Sequence, residues 1–287
     1  MKLISFAFFS DPTARPGLLV GDEILDLTPL GVPDTVSSIA VGPVALRQAL
    51  EMPETSRIAR SGVRLLTPIP RPPRIFCVGL NYRDHAIEAK MEIPKVPTIF
   101  LKLPSAVIGP EETVRIPAMT QQPDYEVELA IVIGKAGRDI PREKWREHVF
   151  GYTILNDVSA RDVQLATSQW TLGKSFDTFC PIGPAIVSQD EIPDPHALDI
   201  RLSIGGEVLQ HSNTRELIFK APELIAYLSS ITPLEPGDII STGTPAGVGL
   251  GRTPKRWLQP GETMTAEVEG LGQLINPVEA EPGGAGN

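Results

Sequence analysis

Asp124-Tyr125-Glu126-Val127-Glu128-Leu129-Ala130-Ile131-Val132-Ile133-Gly134 is the stretch on which the reading of this chain turns. A β-branched apolar run ending in Gly is a strand signal, and residues two apart on a strand share a face. Glu126 and Glu128 therefore project side by side, with Asp124 as a candidate third member. Carboxylates held that close repel one another unless a proton or a cation intervenes. A second apolar strand, Tyr152-Thr153-Ile154-Leu155-Asn156, leads directly to Asp157. Glu126, Glu128 and Asp157 then make three hard oxygen ligands, a set that suits Mg²⁺ or Mn²⁺ and leaves positions for water and substrate. A solvated acidic strand face gives the same spacing, and the pattern alone leaves both accounts open.

Working outward, Ser159-Ala160-Arg161-Asp162 reads as a helix start, with Ser159 as N-cap and Asp162 at the third helical position. Arg161 and Gln164 are three apart and share a helix face. Arg offers a bidentate fork for a carboxylate, and Gln both donates and accepts. An ordinary capped helix with a surface Arg is the simpler alternative. In Trp170-Thr171-Leu172-Gly173-Lys174-Ser175-Phe176-Asp177 a single Lys stands among apolar residues, where it either snorkels to solvent or holds an anion. Upstream, the strand Arg74-Ile75-Phe76-Cys77-Val78 is followed by Gly79-Leu80-Asn81-Tyr82-Arg83-Asp84-His85-Ala86-Ile87-Glu88. His85 and Glu88 fall on one helical turn, and a carboxylate beside an imidazole orients the ring and raises its basicity. A solvated helix face carries the same pair. The other histidines, His148, His196 and His211, sit among turn and surface residues.

Five segments taken in order resemble the fumarylacetoacetate hydrolase family: Gly79–His85, Asp124–Glu128, Asn156–Gln164, Gly173–Phe176 and Gly243–Gly249. They span roughly residues 70–280. The resemblance implies a divalent ion, Mg²⁺ or Mn²⁺, on Glu126, Glu128 and Asp157. It also implies a catalytic His85–Glu88 pair on a mobile lid, with Lys174 beside it, and substrate contacts from Tyr82, Arg161, Gln164 and Thr244. The family's animal branch has an extra acidic ligand before the lid, which Gly79–Tyr82 lacks. The chain is closer to the smaller bacterial and mitochondrial acylpyruvase type, although that mitochondrial type has Arg where this chain has Leu80.

Length and charge fit an enzyme of small molecules. A chain of 287 residues can bury a sizeable core, and its net charge of −9 disfavours nucleic acid and anionic membranes as partners. Cys77 and Cys180 lack zinc or redox spacing and read as buried thiols in a reducing, cytoplasmic setting. The apolar start Leu3–Phe9 is too short for a signal core and lacks a cleavage site, and no run approaches membrane-spanning length.

The expected fold is α+β, a mixed β-sheet roll with few helices plus a small N-terminal domain. Residues 1–70 form that domain, with a Gly21-Asp22 hairpin and one or two short helices within 44–62. Pro-rich residues 67–73 act as linker, 71–280 as catalytic domain, and 281–287 as a flexible tail that frays from Glu279 onward. A helix over 222–230 should bury Leu224, Leu228 and Ile231 on one side. The glycine loop Gly243–Gly251 lacks the Gly-Lys-Ser/Thr of a phosphate loop. Its N–H groups and the Thr244 hydroxyl are expected to approach a substrate carboxylate.

The function so implied is hydrolysis of a carbon–carbon bond in an acylpyruvate or related β-diketo acid by a homodimer. His85, oriented by Glu88, takes a proton from water, Lys174 and Gln164 stabilise the oxyanion, and the cation is Lewis acid for the departing pyruvate enolate. The alternatives are an oxaloacetate-type decarboxylase or 2-keto-acid hydratase on the same site, or an inactive small-molecule binder. The segment from Arg83 to Lys95 is polar and short of apolar anchors, so it should open at low cost and close over the ligand.

Overall fold

The strand read around Glu126 is Val127–Ile133, and all of its residues are buried. It lies in mid-sheet, antiparallel to Val149–Asn156 on one side and to Ile239–Ser241 on the other. Both faces are covered, which is why its sequence is apolar on both faces apart from Glu128 rather than alternating. The computed structural model describes residues 1–51 and 56–283. Among them, a sheet of twelve strands runs from edge to edge as Arg57–Ala59, Glu23–Asp26, Asp11–Val20, Lys2–Phe8, Cys180–Ser188, Val149–Asn156, Val127–Ile133, Ile239–Ser241, Ile75–Gly79 and Thr98–Lys102. The remaining two, Val63–Leu66 and Val107–Ile108, pair with Lys2–Phe8 and Cys180–Ser188.

A second sheet of five strands orders Glu207–Asn213, Asp199–Ile204, Thr263–Val268, Gly272–Ala280 and Val114–Ile116. Its inward residues Leu202, Met264 and Ala266 share one buried cluster with Leu129, Ile131 and Ile154 of the large sheet. Helices are few and short, so the α+β, sheet-dominated architecture stands as read.

The N-terminal hairpin turns at Gly21-Asp22, with Val20 opposite Glu23 and Gly21 at φ 59°. Lys2–Phe8 then pairs with Cys180–Ser188, Leu3 facing Ile186. Residues 1–70 thus add strands to the large sheet, and their standing as a separate unit remains a proposal. Their helices are Thr35–Val41, which precedes the expected 44–62, and Pro43–Ala49, which overlaps it; residues 52–55 of that range lie outside the described residues. The Asp34 side chain accepts from Ser37 N at 2.7 Å and starts the first, while Pro43 starts the second. The later helix spans Ala221–Ile231 and buries Leu224 and Leu228, but Ile231 is exposed, contrary to expectation. The tail also differs: Glu279 and Ala280 belong to the last strand, opposite Arg115 and Ile116, and residues 284–287 lie outside the described residues.

Candidate active site

Backbone register brings the acidic residues together. Asp157 N donates to the Glu126 carbonyl at 2.8 Å, just beyond the pair Val127–Asn156 that closes the ladder. Glu126, Glu128 and Asp157 are all buried, each with a carboxylate oxygen within 4.8 Å of the others. Three cations surround them. Arg161 Nη2 is 2.5 Å from Glu126 Oε1, and Lys174 Nζ bridges Glu126 Oε2 at 2.7 Å and Asp157 Oδ2 at 2.8 Å. Lys102 Nζ donates to Asp157 Oδ1 at 2.6 Å.

Glu128 is without such a cation. Its Oε2 accepts from the Ser241 hydroxyl at 2.5 Å and from Gly243 N at 2.8 Å. Burial, reinforced by the charges of Asp157 and Glu126, pushes its carboxyl up to about 8. Burial also opposes the charge on Glu126, but Arg161 and Lys174 outweigh it and hold that carboxyl below its usual range. The cluster therefore retains a proton at Glu128 that a cation would displace. Three buried carboxylates with one of them so raised are a donor set that fits a hard divalent ion.

Asp124 is not a third member of the strand pair. Its Oδ2 accepts from Arg161 Nε at 2.8 Å and Leu250 N at 3.0 Å, and its Oδ1 from Gly249 N at 2.7 Å. Arg161 is committed within the protein as well, its Nη1 donating to Gln164 Oε1 at 2.9 Å. The fork expected to hold a substrate carboxylate is thus bonded to Asp124, Glu126 and Gln164. Ser159 does not cap the following helix: its hydroxyl donates to the Asp157 carbonyl at 2.8 Å. Ala160 occupies the N-cap of Arg161–Gln164, and Asp162 is the second helical residue, accepting from Thr120 Oγ1 at 2.6 Å.

The glycine loop serves protein carboxylates. Gly243 N donates to Glu128, Gly247 N to Glu88, and Gly249 N and Leu250 N to Asp124. Thr244 Oγ1 donates to the Val127 carbonyl at 2.9 Å, so its proton is already engaged. The expected pair is formed: His85 Nδ1 lies 3.0 Å from Glu88 Oε2. Glu88 Oε1 accepts from Gly247 N at 2.9 Å, which docks the helix Arg83–Glu88 on the loop.

A cavity of about 250 Å³ joins these groups. His85, Gln164, Lys174 and Thr244 line it beside Glu126 and Glu128, and Leu80, Phe100 and Trp170 form an apolar wall. Asp157 is fully buried next to them. Tyr82, expected at the substrate, is instead a core residue: it is 0% exposed, its hydroxyl has no partner among the described residues, and it is not on the cavity wall. Burial raises its phenol well above the usual range.

Sequence reasoning missed Lys102, Ser241 and Asn156, whose side chain accepts from Glu126 N at 3.0 Å. Lys102 did leave a signal. It is the lone cation of Thr98-Ile99-Phe100-Leu101-Lys102 and is in phase with Phe100 on that strand.

Residues 74–279 match the family model described as the fumarylacetoacetate (FAA) hydrolase C-terminal domain. The chain belongs to the fumarylacetoacetate hydrolase family. A family relative, the mitochondrial oxaloacetate tautomerase fahd2 of Xenopus laevis, is 43% identical over 97% of this chain and 90% of its own. The fumarylacetoacetate hydrolase of Exiguobacterium antarcticum superposes with a TM-score of 0.85 at 38% identity, covering 98% of this chain and 100% of that one. The maleylpyruvate hydrolase of Sphingobium sp. SYK-6, solved with manganese(II) and pyruvate, gives 0.82 at 34%, with 98% and 99% covered.

Proposed function

We propose that this family member is a metal-dependent enzyme of small 2-oxo acids, and that it interconverts the enol and keto forms of oxaloacetate. The observation that carries this reading is the placement of one oriented imidazole, His85 on Glu88, across a small cavity from the Glu126–Glu128–Asp157 cluster. Tautomerisation needs little more: one proton moved at carbon 3, and stabilised negative charge on the carbon 2 oxygen. A divalent cation held by the three carboxylates, for which we propose Mg²⁺ or Mn²⁺, would offset the charge of the substrate's carboxylate and 2-oxo oxygen.

The residues supply the rest. Lys174 spends two of its three donors on Glu126 and Asp157, and the third is available to the carbon 2 oxygen. Gln164 accepts from Arg161 through Oε1, which leaves its amide nitrogen to donate. In the enol-to-keto direction the enol hydroxyl gives its proton to solvent, protonated His85 delivers one to carbon 3, and solvent reprotonates the imidazole; the reverse reaction retraces these transfers. The Xenopus relative bears the name oxaloacetate tautomerase, which supports this choice.

The second reading is hydrolysis of a carbon–carbon bond in an acylpyruvate. The apolar wall of Leu80, Phe100 and Trp170 favours it, because that wall could take an acyl group, and the Sphingobium neighbour is a maleylpyruvate hydrolase. In that reaction His85 draws a proton from water instead. The named Xenopus relative is mitochondrial, whereas the sequence reading places this chain in the cytoplasm; the proposed chemistry is the same in either.

The test follows loss of the enol absorbance of oxaloacetate with Mg²⁺ and with chelator, beside pyruvate release from a panel of acylpyruvates. Faster enol loss with protein and Mg²⁺ is expected, reduced about 10²–10⁴-fold in His85→Ala. Enol loss no faster than in buffer, with rapid pyruvate release, overturns tautomerisation in favour of hydrolysis.

A further inference from the structure

Lys102 ends the strand Thr98–Lys102 at the edge of the large sheet, yet its side chain is 0% exposed. An ammonium enclosed this way is costly unless its donors are satisfied. Here one donor meets Asp157 Oδ1 at 2.6 Å and another the Val158 carbonyl at 3.1 Å. The second bond reaches the backbone just beyond Asp157, so Lys102 grips the carboxylate and its chain together. Asp157 Oδ2 is the oxygen that turns toward Lys174 and Glu126.

The same strand reaches the substrate cavity. Phe100 lies two residues before Lys102, on the same side of the strand, and forms part of the cavity wall. Its ring meets Trp170 edge-on at 5.5 Å and carries Lys174 Nζ 5.2 Å from its centroid. One strand thus fixes both an apolar wall of the cavity and the orientation of one carboxylate.

We infer that Lys102 is a positioning residue: it reserves Asp157 Oδ1 and presents Oδ2 as the single oxygen that Asp157 offers a divalent cation. Its reach is through the ligand, since Lys102 itself does not line the cavity. Groups that hold a metal ligand from behind typically change metal affinity by 10–100-fold when removed. A positional role and a purely electrostatic one have opposite signs here. Loss of the hydrogen bonds frees Asp157 to turn and weakens cation binding, whereas loss of a neighbouring positive charge alone would strengthen it.

The inference rests on the metal reading of the triad, and the experiment separates the two. Mn²⁺ binding is measured by calorimetry on the full chain, with folding checked by circular dichroism. Wild-type protein that takes up no Mn²⁺ overturns the metal reading itself. Given wild-type binding, Lys102→Met should bind Mn²⁺ about 10–100-fold more weakly while keeping its fold. Lys102→Arg keeps the charge but replaces a compact point donor by a planar fork, so its affinity should fall by a smaller factor, about threefold or more. If Lys102→Met does not fold, the Arg variant decides. Affinity that is unchanged or higher in either folded variant overturns the inference.

Discussion

Glu128 is the carboxylate at which a cation bound by the proposed triad would compete with a proton. Its ordinary value of 4.5 is raised to about 8 by burial and by the charges of Asp157 and Glu126. The folded chain therefore keeps a proton that the unfolded chain releases. The resulting stabilisation is fully present below 4.5 and is lost as pH rises through about 8. Glu126 acts in the opposite sense: its value lies below 4.5 when folded, so its contribution is present above that pH and lost on acidification. In chelator, thermal scans should show the melting temperature falling between those two pH values, and Mg²⁺ or Mn²⁺ should raise it most at the upper end. Glu128→Gln should flatten that slope; an unchanged slope would place the titration elsewhere. Glu126→Gln removes a charge and a ligand at nearly constant volume, so calorimetric Mg²⁺ affinity should drop while the fold persists. Equal binding in mutant and wild type would sink the ligand assignment. At this scale the triad was legible because a strand's period of two and a ladder's end are local facts. The spending of Arg161 on Asp124 and of Thr244 on Val127 was not, since side-chain partners distant in sequence leave no periodic trace.

The proposed acid–base pair His85–Glu88 rests on a short helix docked against a glycine loop, and each is shaped for the other. Gly247 sits at φ 103°, and a Cβ there would lie 2.1 Å from the Leu209 carbonyl oxygen; one on Gly251 would lie 2.5 Å from Glu88 Cδ. Only glycines let the loop pass close enough to donate to Glu88. The helix Arg83–Glu88 is also tied down by Ser212 Oγ to Asp84 Oδ2 at 2.5 Å and by Arg83 Nη1 to the Leu217 carbonyl at 3.0 Å. Backbone bonds from Ala89, Lys90 and Met91 continue the helix, but beyond them Ile93 is exposed and residues 92–95 have little to hold them. Hydrogen exchange should therefore be slow from Ala86 to Met91, whose bonded amides include those of Ala89, Lys90 and Met91, relative to residues 92–95, and oxalate with Mg²⁺ should protect the latter. No added protection there would count against closure over the ligand. Gly247→Ala should strain the loop, release Glu88, and cut the rate more than the metal affinity. The His85–Glu88 spacing was readable from the sequence, but the loop's engagement was not. A run of glycines marks close approach without saying what approaches.

At the scale of the molecule, the large sheet is joined across the chain by pairings that sequence cannot assign. The hairpin at Gly21-Asp22 was legible because its turn chemistry is local. The pairing of Lys2–Phe8 with Cys180–Ser188 spans most of the chain and has no local signature. It has a consequence for the proposed unit of residues 1–70. Leu3, Leu18 and Leu25 share one buried cluster with Ile182 and Ile186, and Cys180–Ser188 in turn pairs with Val149–Asn156, the strand that leads to Asp157. Removing residues 1–70 would strip one edge of Cys180–Ser188, leaving unpaired N–H and C=O groups above a newly exposed apolar face. Such an edge recruits other chains. The truncated protein should therefore be aggregated by light scattering and bind Mn²⁺ poorly, because the strand supporting the triad loses its own support. A monodisperse 71–287 fragment with wild-type Mn²⁺ affinity would show instead that the N-terminal strands are an appendage, with the site sustained by the family's catalytic region alone.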